Sequence, residues 1–286
     1  MTRKKGNKSL IGFVGQGYIG KNYADDFERR GYPVVRYSLE EPHKQNGHKI
    51  KDCDIVFIAV PTPTTLKGFD DSIVRDAIKF VGEGKIAIVK STIVPGTTKS
   101  FQAQYQDRFI FYSPEFLSEA TAAHDAAHPF SNILGSAVDD EAHTVAARLV
   151  HTLLPPAPYS LTCDSTEAEL VKYAHNGSGY VEIIFFNLMY ELTQKLGVNW
   201  TPIEQALQAD PFIANRYAKP IHKTGRGAGG NCFIKDFAAL RDLYEKEVGN
   251  SIGIEALSAF EKKNIALLKE SGKDLSLLKG VYGDSI

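Results

Sequence analysis

The chain has 286 residues, of which 43% are hydrophobic and 23% charged, with a net charge of -1. This length has room for about two domains, and the near-neutral charge argues against nucleic acid as a partner. Three unevenly spaced cysteines argue against a disulfide framework, and every apolar run is shorter than the roughly 18 residues of a membrane helix. We therefore predict a cytoplasmic protein that partners neither nucleic acid nor membrane.

The first half of the chain alternates short apolar segments with helical patterns. We predict helices over residues 21–30, 71–81 and 139–154, and strands over residues 10–14, 33–37, 55–60, 85–89, 109–112 and 132–135. Strands that alternate with helices are typical of a doubly wound, mostly parallel sheet. We therefore predict an α/β domain of the Rossmann type over residues 1–163.

The pattern becomes wholly helical after Cys163. Asp164 or Ser165 can cap a helix that extends to about residue 195. Further helical patterns cover residues 203–208, 236–248 and 254–270, the last of them long and amphipathic. We therefore predict an all-α domain with a long connecting helix over residues 164–286.

A glycine motif lies between the first strand and the first helix. In a dinucleotide fingerprint, the first glycine permits a tight turn, the second admits the pyrophosphate, and the third packs helix on strand. The alternative is a purely structural turn, but the position between strand and helix favours binding. We predict a cofactor contact from each residue of this loop: Gly15, Gln16, Gly17, Tyr18, Ile19 and Gly20.

The end of the second strand does not settle the choice of cofactor. An acidic residue that binds the adenosine ribose is usual there, but this chain has Ser38, with Glu40 and Glu41 just beyond it. Either glutamate could reach the ribose, whereas Arg36 or Lys44 would favour a 2′-phosphate. We predict NAD and leave NADP open.

A second glycine-rich loop precedes Cys232, in the segment GRGAGGNCFIKD at 225–236. The start of a helix lowers the pKa of a thiol, and Lys235 adds positive charge nearby. The alternative is a small core cysteine. The polar, glycine-rich setting favours a nucleophile, whereas we interpret Cys53 and Cys163 as structural.

This segment resembles the active-site loop of the UDP-glucose/GDP-mannose dehydrogenase family. Other segments similar to that family follow in the same order: GQGYIG at 15–20, VPTPT at 60–64, STIVPGTT at 91–98, SPEFLSEATAAHD at 113–125 and AELVKYAHN at 168–176. The resemblance implies an NAD-dependent, four-electron oxidation of a nucleotide sugar's primary alcohol, through a thiohemiacetal and a thioester on the cysteine. UDP-glucose, which would give UDP-glucuronate, is the first expectation for the substrate.

The resemblance also implies roles for individual residues. Cys232 would be the nucleophile, Lys172 and Asn176 would stabilise the oxyanion, and Glu115, Thr92 and Asp236 would handle water and protons. Further cofactor contacts would come from Val60, Pro61, Thr62, Ser91, Thr92, Glu119 and Lys235. Substrate contacts would come from Phe116, Leu117, Lys172, Asn176, Gly229 and Cys232. No metal site is predicted.

Four of these residues have plain structural alternatives. Glu115 could cap a helix, Lys172 could lie on the surface, Asn176 could end a helix before Gly177, and Thr92 could be a turn residue.

The chain also departs from the family pattern. Asn231 stands where the family usually has Ser, Ala120 replaces a usual Gly, and the sequence ends where a third, nucleotide-binding domain usually follows. We therefore expect a short form that binds its substrate differently, takes that domain from another chain, or binds NAD without oxidising anything. A β-hydroxyacid dehydrogenase is a further alternative, although that class needs no cysteine.

A homodimer through the helical domain is a further expectation. The last long helix has apolar residues that could face a partner: Ile254, Leu257, Phe260, Ile265 and Leu268. The alternative is that they cover this chain's own core.

Overall fold

The computed structural model describes residues 8–213 and 217–284, which divide into two compact units. The first unit contains the described residues up to Thr62 together with Asp70–Lys172, and the second contains Pro63–Phe69 and the described residues from Tyr173 onward. The division therefore falls inside a long helix, whereas the predicted boundary stands at the amino end of that helix, between residues 163 and 164.

The first unit is built on one seven-stranded sheet. Its strands, numbered along the whole chain, are β1 (Ile11–Val14), β2 (Val34–Tyr37), β3 (Ile55–Ile58), β6 (Ile86–Val89), β7 (Phe109–Tyr112), β8 (Ser131–Ser136) and β9 (Tyr159–Asp164). They lie in the order β2-β1-β3-β6-β7-β8-β9, and every neighbouring pair is parallel except β7 with β8. The predicted doubly wound, mostly parallel sheet is confirmed.

The apolar runs in the sequence reflect burial of the sheet on both faces. All residues of β1, β3 and β6 are buried. The Phe13 and Phe57 rings stack with their centroids 5.1 Å apart, and Phe27 from the first helix closes on Phe13 at 5.7 Å. Parallel strands covered on both faces read as continuous hydrophobic segments, which is why the pattern located them correctly.

The helices of the first unit flank this sheet. They are α1 (Tyr18–Arg29), α2 (Ser72–Ile78), α3 (Thr97–Gln104), α4 (Ala122–Ala127) and α5 (Glu141–Leu153), with a 3₁₀ helix over Lys44–Asp52. The sequence pattern predicted neither α3 nor β9. The strand β9 lies at the edge of the sheet and none of its residues is fully buried, so it carries no apolar run.

The amino end of α3 is completed by Glu169, 71 residues after Thr98. The Glu169 carboxylate accepts the backbone N–H of Gly96 at 2.6 Å and of Thr98 at 2.8 Å, and the Thr98 hydroxyl at 2.5 Å. A helix start needs such acceptors because its first N–H groups have no partner within the helix. The capping residue is remote in sequence, so local patterns do not indicate this helix.

The second unit consists of helices and two short hairpins. Its helices are α6 (Ser165–Leu196, which begins in the first unit), α7 (Trp200–Ala209), α8 (Gly230–Glu247), α9 (Ser251–Ser271) and α10 (Leu275–Tyr282). The hairpins are β4 (Thr64–Thr65) with β5 (Gly68–Phe69), and β10 (Ile221–His222) with β11 (Gly225–Arg226). No helix in the described ranges is long and apolar enough to cross a membrane.

The apolar face of α9 packs within its own unit. Leu257 and Phe260 lie against the cluster around Tyr180, whereas Ile265 and Leu268 join Ile234 in another cluster. These positions therefore cover the unit's own core, which was the alternative to a dimer face on this helix.

Exposed apolar side chains lie instead along α6. Their spacing places them on one side of the helix, and they are Phe185, Leu188, Met189, Leu192 and Leu196. We call these five residues the α6 stripe.

Candidate active site

The glycine loop after β1 is shaped by two of its three glycines. Gly15 has φ +93°, and a Cβ there would lie 2.2 Å from the Ala59 carbonyl oxygen. A Cβ on Gly20 would lie 2.0 Å from the Gly15 carbonyl oxygen. These glycines let α1 start close against β1 and β3. By contrast, a Cβ on Gly17 would have no atom within 4 Å, so close packing does not explain this glycine.

The setting of Gly17 fits the pyrophosphate of a dinucleotide. Gly17 is the N-cap of α1, and the first turn of this helix contains no acidic residue. Its backbone N–H groups and the helix dipole therefore attract an anion. The loop also follows β1, which lies between β2 on one side and β3 on the other. The strand order therefore changes direction at β1, and doubly wound sheets bind nucleotides at such a point.

Charges near β2 favour NAD over NADP. The Arg36 guanidinium lies 2.7 Å from a carboxylate oxygen of Asp25 and 2.7 Å from one of Glu28, and it also donates to Gln16 Oε1 at 3.4 Å. Two carboxylates therefore neutralise the cation that could have bound a 2′-phosphate. The Ser38 hydroxyl donates a hydrogen bond to the Glu40 carbonyl at 2.9 Å, so it is used by a contact within its own segment.

The loops after β3 and β6 meet at the same edge of the sheet. The Ser91 hydroxyl accepts the Val60 N–H at 2.9 Å and donates to the Val60 carbonyl at 2.7 Å. Thr62 and Thr92, which are near Val60 and Ser91 in the sequence, are buried, whereas Pro61 is exposed. The carboxyl ends of parallel strands lie together, so these five predicted cofactor residues share an edge with the glycine loop.

A buried ion pair follows β7. Lys172 Nζ donates to Glu115 Oε1 at 3.0 Å and to the Glu115 carbonyl at 2.6 Å, while Glu115 Oε2 accepts the Leu117 N–H at 3.0 Å. Both side chains are at least 93% buried. Lys172 is therefore not a surface residue. Because a buried charge is costly unless it is paired, each of these two side chains depends on the other.

The neighbours of this pair differ in exposure. The Phe116 ring centroid lies 5.5 Å from Lys172 Nζ and 5.0 Å from the Phe130 centroid. Leu117 packs against the main core cluster, whereas Glu119 is exposed.

A second polar cluster lies between α6 and α8. The Asp236 carboxylate accepts Asn176 Nδ2 at 2.7 Å and Lys235 Nζ at 2.5 Å. Asn176 is in the interior of α6, so it is not the C-cap of a helix, and it lies one turn after Lys172 on that helix. A Cβ on Gly177 would lie 3.3 Å from Leu240, so this glycine gives α8 room to pack.

Cys232 lies in the first turn of α8. This helix begins at Gly230, earlier than the predicted 236, because glycine's low helix propensity hides the start of the helix from sequence patterns. Cys232 is exposed, whereas burial raises the pKa of the Cys53 thiol to about 12 and also raises the pKa of Cys163. Of the three cysteines, Cys232 therefore has the setting of a reactive thiol.

The loop before Cys232 is held by residues that sequence reasoning missed. Asn264 accepts the Ala228 N–H at 2.7 Å and donates to the Ala228 carbonyl at 3.0 Å. Lys273 Nζ donates to the Gly227 carbonyl at 2.8 Å, and Asp274 accepts the Gly230 N–H at 2.8 Å. These partners follow the loop by 36 to 46 residues, and no sequence pattern links them to it.

Two glycines of this loop give these contacts the room they need. A Cβ on Gly227 would lie 2.9 Å from Asn264 Oδ1, and one on Gly229 would lie 2.1 Å from Asp274 Oδ2. Their close approach is therefore to α9 and the residues that follow it. In the part of the chain that the structure describes, His, Cys, Asp and Glu form no group of three or more that could hold a metal ion.

Two models of one protein family match this chain. The NAD binding domain of the UDP-glucose/GDP-mannose dehydrogenase family matches residues 41–153, and the central domain of the same family matches residues 166–265.

Individual relatives agree with these matches. The UDP-glucose 6-dehydrogenase of Rickettsia conorii is 27% identical over 289 residues, which cover 91% of this chain and 65% of the relative. A UDP-glucose dehydrogenase structure from Pyrobaculum islandicum aligns with TM-score 0.76 and 25% identity, over 92% of this chain and 70% of that one. A UDP-D-ManNAc dehydrogenase from Pyrococcus horikoshii has the same fold, with TM-score 0.74 and 21% identity over 92% and 72% of the two chains. This chain thus spans about 65% of the length of the Rickettsia relative.

Proposed function

Because this chain belongs to the UDP-glucose/GDP-mannose dehydrogenase family, we propose that it oxidises the primary alcohol of a nucleotide sugar to a carboxylate. The observation that carries this proposal is the exposed Cys232 at the start of α8, which suits a covalent nucleophile. UDP-glucose is the proposed substrate because the Rickettsia relative is a UDP-glucose 6-dehydrogenase. The product is then UDP-glucuronate.

The cofactor is NAD, and two NAD molecules in succession would each accept one of the two hydrides that leave the sugar. We assign its pyrophosphate to the loop formed by Gly15, Gln16, Gly17, Tyr18, Ile19 and Gly20. The loops after β3 and β6 would hold it further along the sheet edge, through Val60, Pro61, Thr62, Ser91 and Thr92. Glu119 and Lys235 complete the proposed cofactor contacts.

Gly17 offers a clean test of the cofactor site. We expect Gly17→Ala to leave the melting temperature unchanged, since the new methyl group meets no atom of the protein within 4 Å. The methyl group should nevertheless obstruct the pyrophosphate and raise the Kd for NAD about tenfold or more, which corresponds to about 1.4 kcal/mol. Titration by calorimetry measures this. Gly280→Ala is the matched control, because its methyl group also meets no atom. Unchanged NAD affinity in Gly17→Ala would contradict the assignment.

The proposed chemistry after the first oxidation centres on the Cys232 sulfur. The thiolate adds to the aldehyde carbon, a C–S bond forms, and the aldehyde oxygen becomes an oxyanion. Loss of a hydride from that carbon gives the thioester. Water then adds, the C–S bond breaks, and the carboxylate and the thiol are released.

Five polar side chains would support these steps. The Lys172 ammonium and the Asn176 amide stabilise the oxyanion as hydrogen-bond donors. Glu115 and Thr92 orient the water and Glu115 accepts its proton, while Asp236 assists proton transfer through its contact with Lys235. Phe116, Leu117 and Gly229 are the further proposed substrate contacts.

The test is the number of NADH formed for each sugar consumed. The purified chain is mixed with NAD and UDP-glucose, UDP-N-acetylmannosamine or GDP-mannose, and absorbance is followed at about 340 nm. Two NADH per sugar support the proposal, and the best sugar identifies the substrate. NAD binding without turnover would contradict it. Turnover of a β-hydroxyacid that survives thiol alkylation would instead favour that class of dehydrogenase.

We also propose that the chain forms a homodimer through the α6 stripe. Contiguous exposed apolar surface marks interaction sites, and the five residues of the stripe recur at helical spacing. Light scattering is expected to give the mass of a dimer for the wild type and of a monomer for Leu192→Asp. Ile252→Asp, at an exposed apolar position on α9, should leave the dimer intact. A monomeric wild type would refute the proposal.

A further inference from the structure

Lys90 is a buried lysine that the reaction described above does not use. It follows β6 directly, at the edge of the sheet that carries the cofactor loops, and it is 95% buried. An ammonium group in such a place is costly unless neighbouring groups stabilise its charge.

Its direct neighbours are uncharged. Lys90 Nζ donates to the Ser113 hydroxyl at 3.0 Å and lies 4.6 Å from the centroid of the Tyr23 ring on α1. An aromatic face attracts a cation, but more weakly than a carboxylate does. Burial raises the pKa of Tyr23, so its phenol remains neutral. Neither neighbour therefore supplies the negative charge that a buried ammonium calls for.

The carboxylate that acts on Lys90 is that of Glu115, two residues after Ser113. Burial lowers the pKa of Lys90 to about 8, the Glu115 carboxylate opposes this shift, and Lys172 adds to it. The titratable groups that act on Lys90 are thus Tyr23 of α1, Glu115 after β7 and Lys172 of α6. Removal of the Glu115 charge is therefore expected to lower the pKa of Lys90 further.

Ser113 and Glu115 belong to one irregular segment that follows β7, and a lysine binds this segment at each end. Lys90 binds its first residue, and Lys172 binds the carbonyl and the carboxylate of its last residue. When Lys90 is neutral, its amine can accept a hydrogen bond from the Ser113 hydroxyl as well as donate one, so the charge-assisted contact that holds this end of the segment is lost.

We propose that Lys90 is a positioning residue for the Glu115 carboxylate: its ammonium holds Ser113, and through this segment keeps the carboxylate correctly oriented for the water that releases the acid. This inference rests on the proposed function, because the role of Glu115 does. It predicts that the reaction loses rate as Lys90 loses its proton.

The first test needs no activity. In protein labelled with ¹⁵N-lysine, the Lys90 Nζ resonance is identified by its absence in Lys90→Arg, and its titration is followed by NMR. We expect a midpoint near pH 8 and a lower midpoint in Glu115→Gln, which removes the opposing charge. A Lys90 midpoint at the ordinary lysine value, or one unchanged by Glu115→Gln, would overturn the coupling.

The second test is the pH dependence of kcat. The wild type should lose rate above about pH 8, Lys90→Arg should keep its rate to higher pH, and Lys90→Met should be slower by about 10- to 100-fold with KM little changed. Lys85→Met is the matched control, since Lys85 precedes the same strand and pairs with Asp54 at 3.1 Å. If Lys90→Met does not fold, the pH profile of Lys90→Arg by itself decides whether the role of Lys90 is correct.

The two tests separate this inference from the proposed function. An active enzyme whose pH profile is unchanged by Lys90→Arg overturns the role of Lys90 and leaves the proposed function standing. A chain without turnover on any nucleotide sugar removes the proposed function, whereas the NMR titration still decides whether Lys90 and Glu115 are coupled.

Discussion

Cys232→Ala is expected to abolish acid formation without loss of stability. The side chain is exposed, so its removal leaves no cavity, whereas the proposed thiohemiacetal and thioester need its sulfur. Removal of a covalent nucleophile costs roughly three to six orders of magnitude in kcat. Oxidation of the alcohol to the aldehyde needs no thiol, so the variant should form at most one NADH per sugar. NADH counting and mass spectrometry of the product measure both effects.

The matched control is Cys163→Ala. Burial raises the pKa of this thiol, so its removal should change neither the NADH count nor the sensitivity to iodoacetamide. Rapid quenching of the wild type should also reveal a sugar adduct on the peptide that contains Cys232. Two NADH per sugar from Cys232→Ala would show that the nucleophile is assigned to the wrong residue.

Lys172→Met is expected to lower the free energy of unfolding by about 3–5 kcal/mol. The substitution leaves the buried Glu115 carboxylate with the Leu117 N–H but without its ammonium partner, and an unpaired buried charge has a cost of this size. Glu115→Gln in the same background removes that charge. The double variant should therefore be more stable than the sum of the single effects predicts, by about 1–3 kcal/mol.

Urea denaturation measures the free energy of unfolding of the wild type, the two single variants and the double variant, which together form a double-mutant cycle. The control is Lys21→Met, which breaks an exposed pair with Asp25 at 2.8 Å and should cost about 0–1 kcal/mol. Lys172→Met should also reduce kcat about 10²- to 10³-fold, as is found when one oxyanion donor is removed. Additive effects on stability would show that Glu115 and Lys172 do not depend on each other.

Local patterns in the sequence were sufficient for six of the seven strands of the sheet and for the two loops that carry the proposed chemistry. The strands β1, β3 and β6 are buried throughout because parallel strands are covered on both faces. Each of them therefore appears in the sequence as a run of consecutive apolar residues. The glycine spacing at residues 15–20 and Cys232 beside a helix start are equally local. These features can be recognised from the sequence because each depends on a single turn or strand.

Other features depend on partners that are far apart in the chain, and only the folded chain reveals them. Glu169 completes α3, and Asn264 with Asp274 holds the loop before Cys232. The pairing of Arg36 with Asp25 and Glu28 was equally hidden, and it turns an ambiguous cation into a reason for NAD.

Lys90 illustrates the same limit most clearly. A lysine in a sequence usually indicates an exposed charge, whereas this one is buried and donates to Ser113 because β6 and β7 are neighbours in the sheet. Periodicity reports which face of an element is buried. It does not report which remote side chain lies opposite, because that depends on how the strands and helices are ordered in space.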